Sequence, residues 1–141
     1  MTEFVTKDSG ERAEFDSGMR RDTDAGKARF DLLVPEGLPY SEQLLTRFAA
    51  LMGRGAEKYT ARNWELANSE EEYARFKASA FRHFMQWYTG ERDEDHAAAV
   101  LFNLTAAETL RWKLAQPDQA TLLRAALGIQ PVTNRLNGDA A

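Results

Sequence analysis

Apolar residues recur along the middle of the chain at the spacing of helices. Leu44, Leu45, Phe48, Leu51, Met52, Ala56 and Tyr59 follow one another at helical steps, and Ser41, whose hydroxyl can cap a first turn, predicts a helix beginning at Glu42. Gly53 and Gly55 each weaken that helix by about 1 kcal/mol relative to alanine, which points either to close approach of a backbone or ligand or to a helix end near Gly55. Between Glu71 and Tyr88 the set Tyr73, Phe76, Ala80, Phe84 and Trp87 predicts a second amphipathic helix, ended by Gly90. A third is expected from Asp93 to Lys113 with Ala97, Val100, Leu101, Leu104 and Ala107 on its core side, and a short fourth from Asp118 to Leu127, stopped by Gly128. No stretch alternates apolar and polar residues, so no sheet is expected. The fold class is all-α, a bundle of three to four helices, with no internal repeat.

The ends of the chain follow other rules. Residues 1–23 hold little that could bury surface and are expected to form a flexible arm. GKARFDLLVPEGLP (26–39), with two prolines and two glycines, is expected to be irregular and to dock on the core. The tail, residues 129–141, is expected to fray, leaving 24–128 as the helical domain.

Composition narrows the function classes. A chain of 141 residues suits one domain, and its 43% apolar and 28% charged content is that of a globular protein with no apolar run long enough to cross a bilayer. The acidic, polar start is no signal peptide, so a cytoplasmic location is expected. A net charge of −4 without a basic stripe argues against binding a nucleic acid polymer, but leaves room for a small phosphorylated ligand held by local cations. The absence of cysteine leaves only oxygen and imidazole ligands for a metal, favouring hard cations such as Mg²⁺ or Mn²⁺.

The candidate chemistry concentrates in GERDEDHAAAVLFN (90–103). Glu91, Asp93, Glu94 and Asp95 supply four carboxylates, which suit a helix start through the helix dipole and equally suit a divalent cation that needs several oxygen ligands. His96 and Asn103 are seven residues apart and share one stripe of a helix, with Ala98 and Ala99 keeping the surface between them low. His83, beside Arg82 on the second helix, is either a half-buried structural side chain or a second imidazole facing the same cleft, since the Gly90 turn makes the two helices neighbours. RGAEKYTARNW (54–64) joins cations to a phenol, an amide and an indole, a combination suited to phosphate and base, or to closing the core. Gly26-Lys27 lacks the Ser or Thr of a phosphate-binding loop, DTDAG (22–26) lacks the ligands of a calcium loop, and no zinc spacing or nucleophile elbow occurs.

Taken together, GKARFDLL (26–33), RGAEKY (54–59), RNW (62–64), ASAFRH (78–83) and DEDHAAAVLFN (93–103) resemble the phage dATP/dGTP diphosphohydrolase family, in the same order and at similar spacing, from Asp24 to Asn103. The resemblance implies kinship with the MazG-like all-α nucleoside triphosphate pyrophosphohydrolases, which use Mg²⁺ or Mn²⁺ and assemble as dimers or tetramers. It further implies hydrolysis of a purine deoxynucleoside triphosphate to the monophosphate and pyrophosphate, in phage control of host nucleotide pools. One departure stands out. MazG-like enzymes pair E-x-x-E on one helix with E-x-x-D on the next, whereas here Glu91 and Glu94 form one such pair, Glu57 is followed by Thr60, and Asp95 by Ala98.

On this reading Glu91, Glu94 and Asp95 hold the metal, with Asp93 in reserve, and His96 is the base or orienter of the attacking water. Asn103 orients His96 or a ligand hydroxyl, and His83 with Arg82 approaches the phosphates. Lys58, Lys27 and Arg29 complete a phosphate cradle, while Tyr59, Asn63 and Trp64 hold sugar and base. A module that sequesters a nucleotide without cleaving it, and a purely structural helical oligomer, are the alternatives. Aromatic residues off the main stripes, Phe81, Phe102 and Trp112, suggest a homodimer or homotetramer.

Overall fold

A computed structural model of the chain describes residues 5–129. The expected fraying tail therefore lies outside the described residues, apart from Ile129. The chain divides at Pro39 into two compact units.

The first unit contains a small antiparallel hairpin, β1 (Arg12–Glu14) and β2 (Arg20–Asp22), with Arg12 opposite Asp22 and Glu14 opposite Arg20. This corrects the expectation of no sheet. The strands are three residues long and polar, so they carry no apolar alternation. Charge pairs hold them instead: Arg12 reaches Asp8 at 2.7 Å and Asp22 at 3.7 Å, and Arg20 reaches Glu14 at 3.3 Å. The segment after it coils into a 3₁₀ turn, Phe30–Leu33, where Arg29 grips Asp31.

The second unit is helical. Ser41 does not cap its first helix: Tyr40–Glu42 forms a 3₁₀ turn, Gln43 takes the N-cap position, and α1 spans Leu44–Lys58. It runs through Gly53 and Gly55 without ending. A 3₁₀ turn, Asn63–Leu66, follows, tied down by Lys113 Nζ, which donates to the carbonyls of Glu65 and Ala67 at 2.8 Å each. Helix α2 spans Glu70–Tyr88 and opens with a capping box in which Ser69 Oγ accepts from the Glu72 N–H (3.2 Å) and Glu72 Oε2 accepts from the Ser69 N–H (3.0 Å).

Helix α3 spans His96–Leu114, three residues shorter at its start than the expected Asp93. Asp95 is its N-cap, accepting from the Ala98 N–H at 3.1 Å, so Glu91 to Glu94 occupy the connecting loop rather than a first helical turn. Helix α4, Gln119–Ala126, is capped by Asp118.

Helix α3 packs chiefly against α2 and also against α1. Of its expected core side Ala107 is buried and Ala97, Val100 and Leu101 are half-buried, but the most buried face is a neighbouring stripe of small residues. Ala98, Ala99, Asn103, Ala106, Ala107 and Leu110 are buried, while Leu104 stands exposed. Small side chains let the helix axes approach, and that close approach fixes which face points inward. Phe84 and Trp87, from the apolar repeat of α2, stand exposed beside Phe81 and Tyr88. Phe102 closes the other side, edge-on to Trp64 (6.4 Å between centroids) and to Phe76 (6.2 Å). No helix among the described residues is long and apolar enough to cross a membrane.

Candidate functional site

The turn between α2 and α3 creates the site. Gly90 adopts φ +86°, a left-handed conformation that an L side chain rarely takes, and folds the chain back so that α3 begins beside the last turns of α2. His83 and His96 meet there, both buried, with their Nδ1 atoms 2.9 Å apart. Two imidazole nitrogens at that distance share one proton. His96 Nε2 lies 2.8 Å from Asp93 Oδ1, and a carboxylate can only accept, so His96 carries its proton on Nε2 and offers the Nδ1 lone pair. His83 therefore donates from Nδ1, leaving its Nε2 to accept from Arg82 Nη2 at 3.4 Å. Arg82, His83, His96 and Asp93 form one directed chain of hydrogen bonds.

Electrostatics agree with this arrangement. Burial pushes the His83 imidazole below its ordinary value, and the neighbouring Arg82 charge adds to the effect against the opposing pull of Glu94. Asp93 is held below the usual carboxylate range by its hydrogen bond from His96. Asp95 is lowered as well, chiefly by hydrogen bonds from Arg47, which outweigh its partial burial.

That Arg47–Asp95 contact joins α1 to the start of α3. Arg47 Nε donates to Asp95 Oδ2 at 2.8 Å and Nη2 donates to Oδ1 at 3.2 Å, while Nη1 donates to the Glu42 carbonyl at 3.0 Å. Arg47 was not among the sequence candidates, since nothing local marks it and its partner is 48 residues away.

Two groups of side chains place ligand atoms within 4.8 Å of one another: His83 with Glu94 and His96, and Glu91 with Asp93 and His96. Glu91 and Glu94 of the expected metal set are thus each in a ligand group. Asp93 joins them, whereas Asp95 belongs to neither and is committed to Arg47 and the helix cap. The donors are carboxylates and imidazoles with no thiolate, a set suited to Mn²⁺ and, at the oxygen-rich Glu91 and Asp93 group, to Mg²⁺.

Three cavities surround these residues. One of about 720 Å³ lies over the loop, lined by Glu42, Arg47, Trp87, Glu91, Asp93 and His96. A polar one of about 670 Å³ is lined by Arg54, Lys58, Ser79, His83, Glu94 and Asn103. An aromatic one of about 960 Å³ is lined by Tyr59, Asn63, Trp64, Arg75, Phe76 and Phe102.

Most of the sequence candidates are gathered here. Lys58, His83, Glu94, Asp95 and Asn103 share the polar cavity, Tyr59, Asn63 and Trp64 the aromatic one, and Glu91 and His96 the loop cavity. Arg82 is exposed beside His83. Asn103 donates from Nδ2 to the Ala99 carbonyl at 2.8 Å. Lys27 and Arg29 belong to the first unit, where Lys27 lies 3.9 Å from Asp22 and Arg29 is engaged by Asp31. Arg54, Ser79, Phe76 and Phe102 are lining residues that sequence reasoning did not assign. Arg54 lay within a quoted motif, and the two phenylalanines differ from any core aromatic only once the cavity is seen.

No curated protein and no solved structure matches this chain. A family model described as "dATP/dGTP diphosphohydrolase, N-terminal" matches residues 17–120, well over half of the sequence and the whole of the helical site. The chain belongs to the dATP/dGTP diphosphohydrolase family, through that family's N-terminal region.

Proposed function

We propose that the protein hydrolyses a purine deoxynucleoside triphosphate, dATP or dGTP, to the monophosphate and pyrophosphate with the help of Mg²⁺ or Mn²⁺. The observation that carries the reading is the Asp93–His96–His83 chain, its two imidazoles buried and Asp93 exposed, bordered by Glu91 and Glu94 and by the cations Arg54 and Lys58. Candidate metal ligands are the carboxylates Glu91 and Glu94, each within ligand reach of the imidazoles, while His83, His96 and Asp93 keep their hydrogen-bond chain. A bound divalent ion would screen the phosphate oxygens and acidify a water.

The chain's own residues supply the rest. Arg54 and Lys58 offer positive charge to the phosphates, since charge neutralisation and positioning dominate phosphoryl chemistry. The proton of the attacking water passes to His83 Nε2 as the His83 Nδ1 proton passes to His96 Nδ1, and Asp93, on the other nitrogen, orients the His96 ring and stabilises the imidazolium that forms. Water oxygen bonds to the α-phosphorus, the bond to the bridging oxygen breaks, and pyrophosphate leaves. Asn103 orients the ligand from the buried wall, and Tyr59, Asn63 and Trp64 receive sugar and base.

The test is a product-resolved assay across deoxynucleoside and ribonucleoside triphosphates with each metal. Pyrophosphate release from a purine deoxynucleotide is expected, falling roughly 10²- to 10⁴-fold in His96→Ala. Release unchanged in that variant would sink the assignment of the base, and absence of release from every substrate would sink the activity. A sequestering module is favoured by one observation, the engagement of Asp95 by Arg47, which leaves the four-carboxylate pattern incomplete. Recovery of bound, intact nucleotide after long incubation with Mn²⁺ would decide for it.

The exposed Phe81, Trp87, Tyr88 and Trp112 support a homodimer or homotetramer, and a single monomeric species in sedimentation velocity at tens of micromolar would exclude it. A setting in phage nucleotide-pool control, in the host cytoplasm, accords with the family resemblance.

A further inference from the structure

The polar and aromatic cavities share three wall residues, Leu51 and Gly55 of α1 and Phe102 of α3. They therefore meet along one strip of surface.

Gly55 is an unexpected residue to find there. It lies inside a helix with ordinary helical φ, so its conformation does not call for glycine, and it costs about 1 kcal/mol of helix stability relative to alanine. A Cβ built on it would meet no atom within 4 Å, so no close packing calls for glycine either. Gly53 has the same open surroundings but lines neither of these cavities. What distinguishes Gly55 is that the two cavities join over it.

The two ends differ in chemistry. The polar end has Arg54, Lys58 and His83, together with Asn103, a buried residue whose Nδ2 donates to the Ala99 carbonyl. The amide oxygen of a residue that lines a cavity is an acceptor that a ligand hydroxyl or N–H can use. The aromatic end has the faces and edges of Trp64, Phe76 and Phe102, with Asn63 and Arg75 as polar groups at its wall. Such a mix of apolar faces and few polar groups is that of a small-molecule pocket, and flat rings suit a purine.

We propose that the two cavities are a single cleft occupied end to end by one purine nucleoside triphosphate, with its sugar crossing α1 at Gly55, whose missing side chain keeps the passage open. This rests on the function proposed above and adds the ligand's path and the residue that permits it. The base lies among Trp64, Phe76 and Phe102, and the phosphates lie toward Lys58, Arg54 and His83.

Three probes separate the ends: 2′-deoxyadenosine for the aromatic end, inorganic tripolyphosphate for the polar end, and the non-hydrolysable α,β-methylene analogue of dATP for both. Calorimetric titration with Mn²⁺ is run on the full chain and on Gly55→Ala, Gly55→Leu and Gly53→Leu. Joining two fragments in one ligand strengthens binding roughly 10²- to 10⁴-fold over either alone, so blocking the passage is expected to cost the analogue about 10²-fold or more. Gly55→Leu should lose that factor while each fragment binds as before, Gly55→Ala should show a smaller loss with a raised melting temperature, and Gly53→Leu should bind normally.

Unchanged analogue affinity in Gly55→Leu, an equal loss in Gly53→Leu, or displacement of deoxyadenosine by tripolyphosphate would each overturn the path. Gly55→Ala keeps the test decisive if leucine disturbs folding, because alanine favours the helix and meets no neighbour. Should the unaltered protein cleave dATP while Gly55→Leu binds the analogue fully, the path fails and the activity stands. Failure to bind or cleave any purine nucleotide removes the activity itself.

Discussion

Replacing either member of the Arg47–Asp95 pair perturbs two things at once, and a small set of variants can separate them. Asp95 is both the N-cap of α3 and the partner of a two-point guanidinium contact at 2.8 and 3.2 Å. A hydrogen-bonded contact between charged groups contributes roughly 1.5–3 kcal/mol when shielded. Here Arg47 keeps 36% of its side-chain surface exposed and Asp95 25%, so solvent screening reduces the expectation to about 1–2 kcal/mol. The cap adds about 1 kcal/mol.

Asparagine is as good an N-cap as aspartate but has no charge. Asp95→Asn is therefore expected to cost about 1 kcal/mol, Asp95→Ala about 2, and Arg47→Ala about 1–2, with a coupling near 1 kcal/mol in the double-mutant cycle. For a unit of this size each kcal/mol moves the melting midpoint by about 4–8 °C. The pH dependence has a definite sign. Asp95 is lowered in the folded protein, so its contribution is present above the ordinary aspartate range and is lost as pH falls through the folded value.

Urea melts of the metal-free protein measure all of this. Equal losses in Asp95→Asn and Asp95→Ala, or no coupling to Arg47, would refute the reasoning. The same variants test what Asp95 is for. A metal ligand would show its loss in Mn²⁺ affinity with little change in metal-free stability, whereas a clamp shows the reverse.

Two further outcomes follow from the geometry. Because His83 is held below its ordinary value, its contribution to stability is complete above about pH 6.5 and is lost as pH falls through the folded value; His83→Gln should flatten that part of the pH profile in urea melts at pH 7.5 and 5.0, and an unchanged slope would refute it. Arg62 sits at φ 61°, the left-handed region, so Arg62→Gly is expected to gain about 0.5–1 kcal/mol despite losing its exposed ion pair with Glu65, and a lowered melting temperature would show that the conformation is not strained.

Much of this molecule is local in origin. The helices were legible because a 3.6-residue apolar repeat and the stops Gly90 and Gly128 act within a few residues of one another, whereas the one cap read from the sequence, Ser41, lies in a 3₁₀ turn. The meeting of His83 with His96 was legible for the same reason, since a tight turn between successive helices leaves little freedom in where their facing ends lie. The β1–β2 hairpin escaped because its hold is a handful of charge pairs, which leave no periodic trace. Which face of α3 turns inward could not be read either: alanine is nearly neutral in any hydrophobic pattern, and only the close approach of α2 makes Ala98, Ala99 and Ala106 the buried stripe. The role of Asp95 was beyond local reading too. A carboxylate at the head of a helix serves equally as cap, clamp or ligand, and an arginine brought in from α1 by the fold made it a clamp. Gly55 shows the same division, because its cost to the helix is written in the sequence, while the cavities that meet over it exist only once α1, α3 and the Asn63–Leu66 turn have packed together.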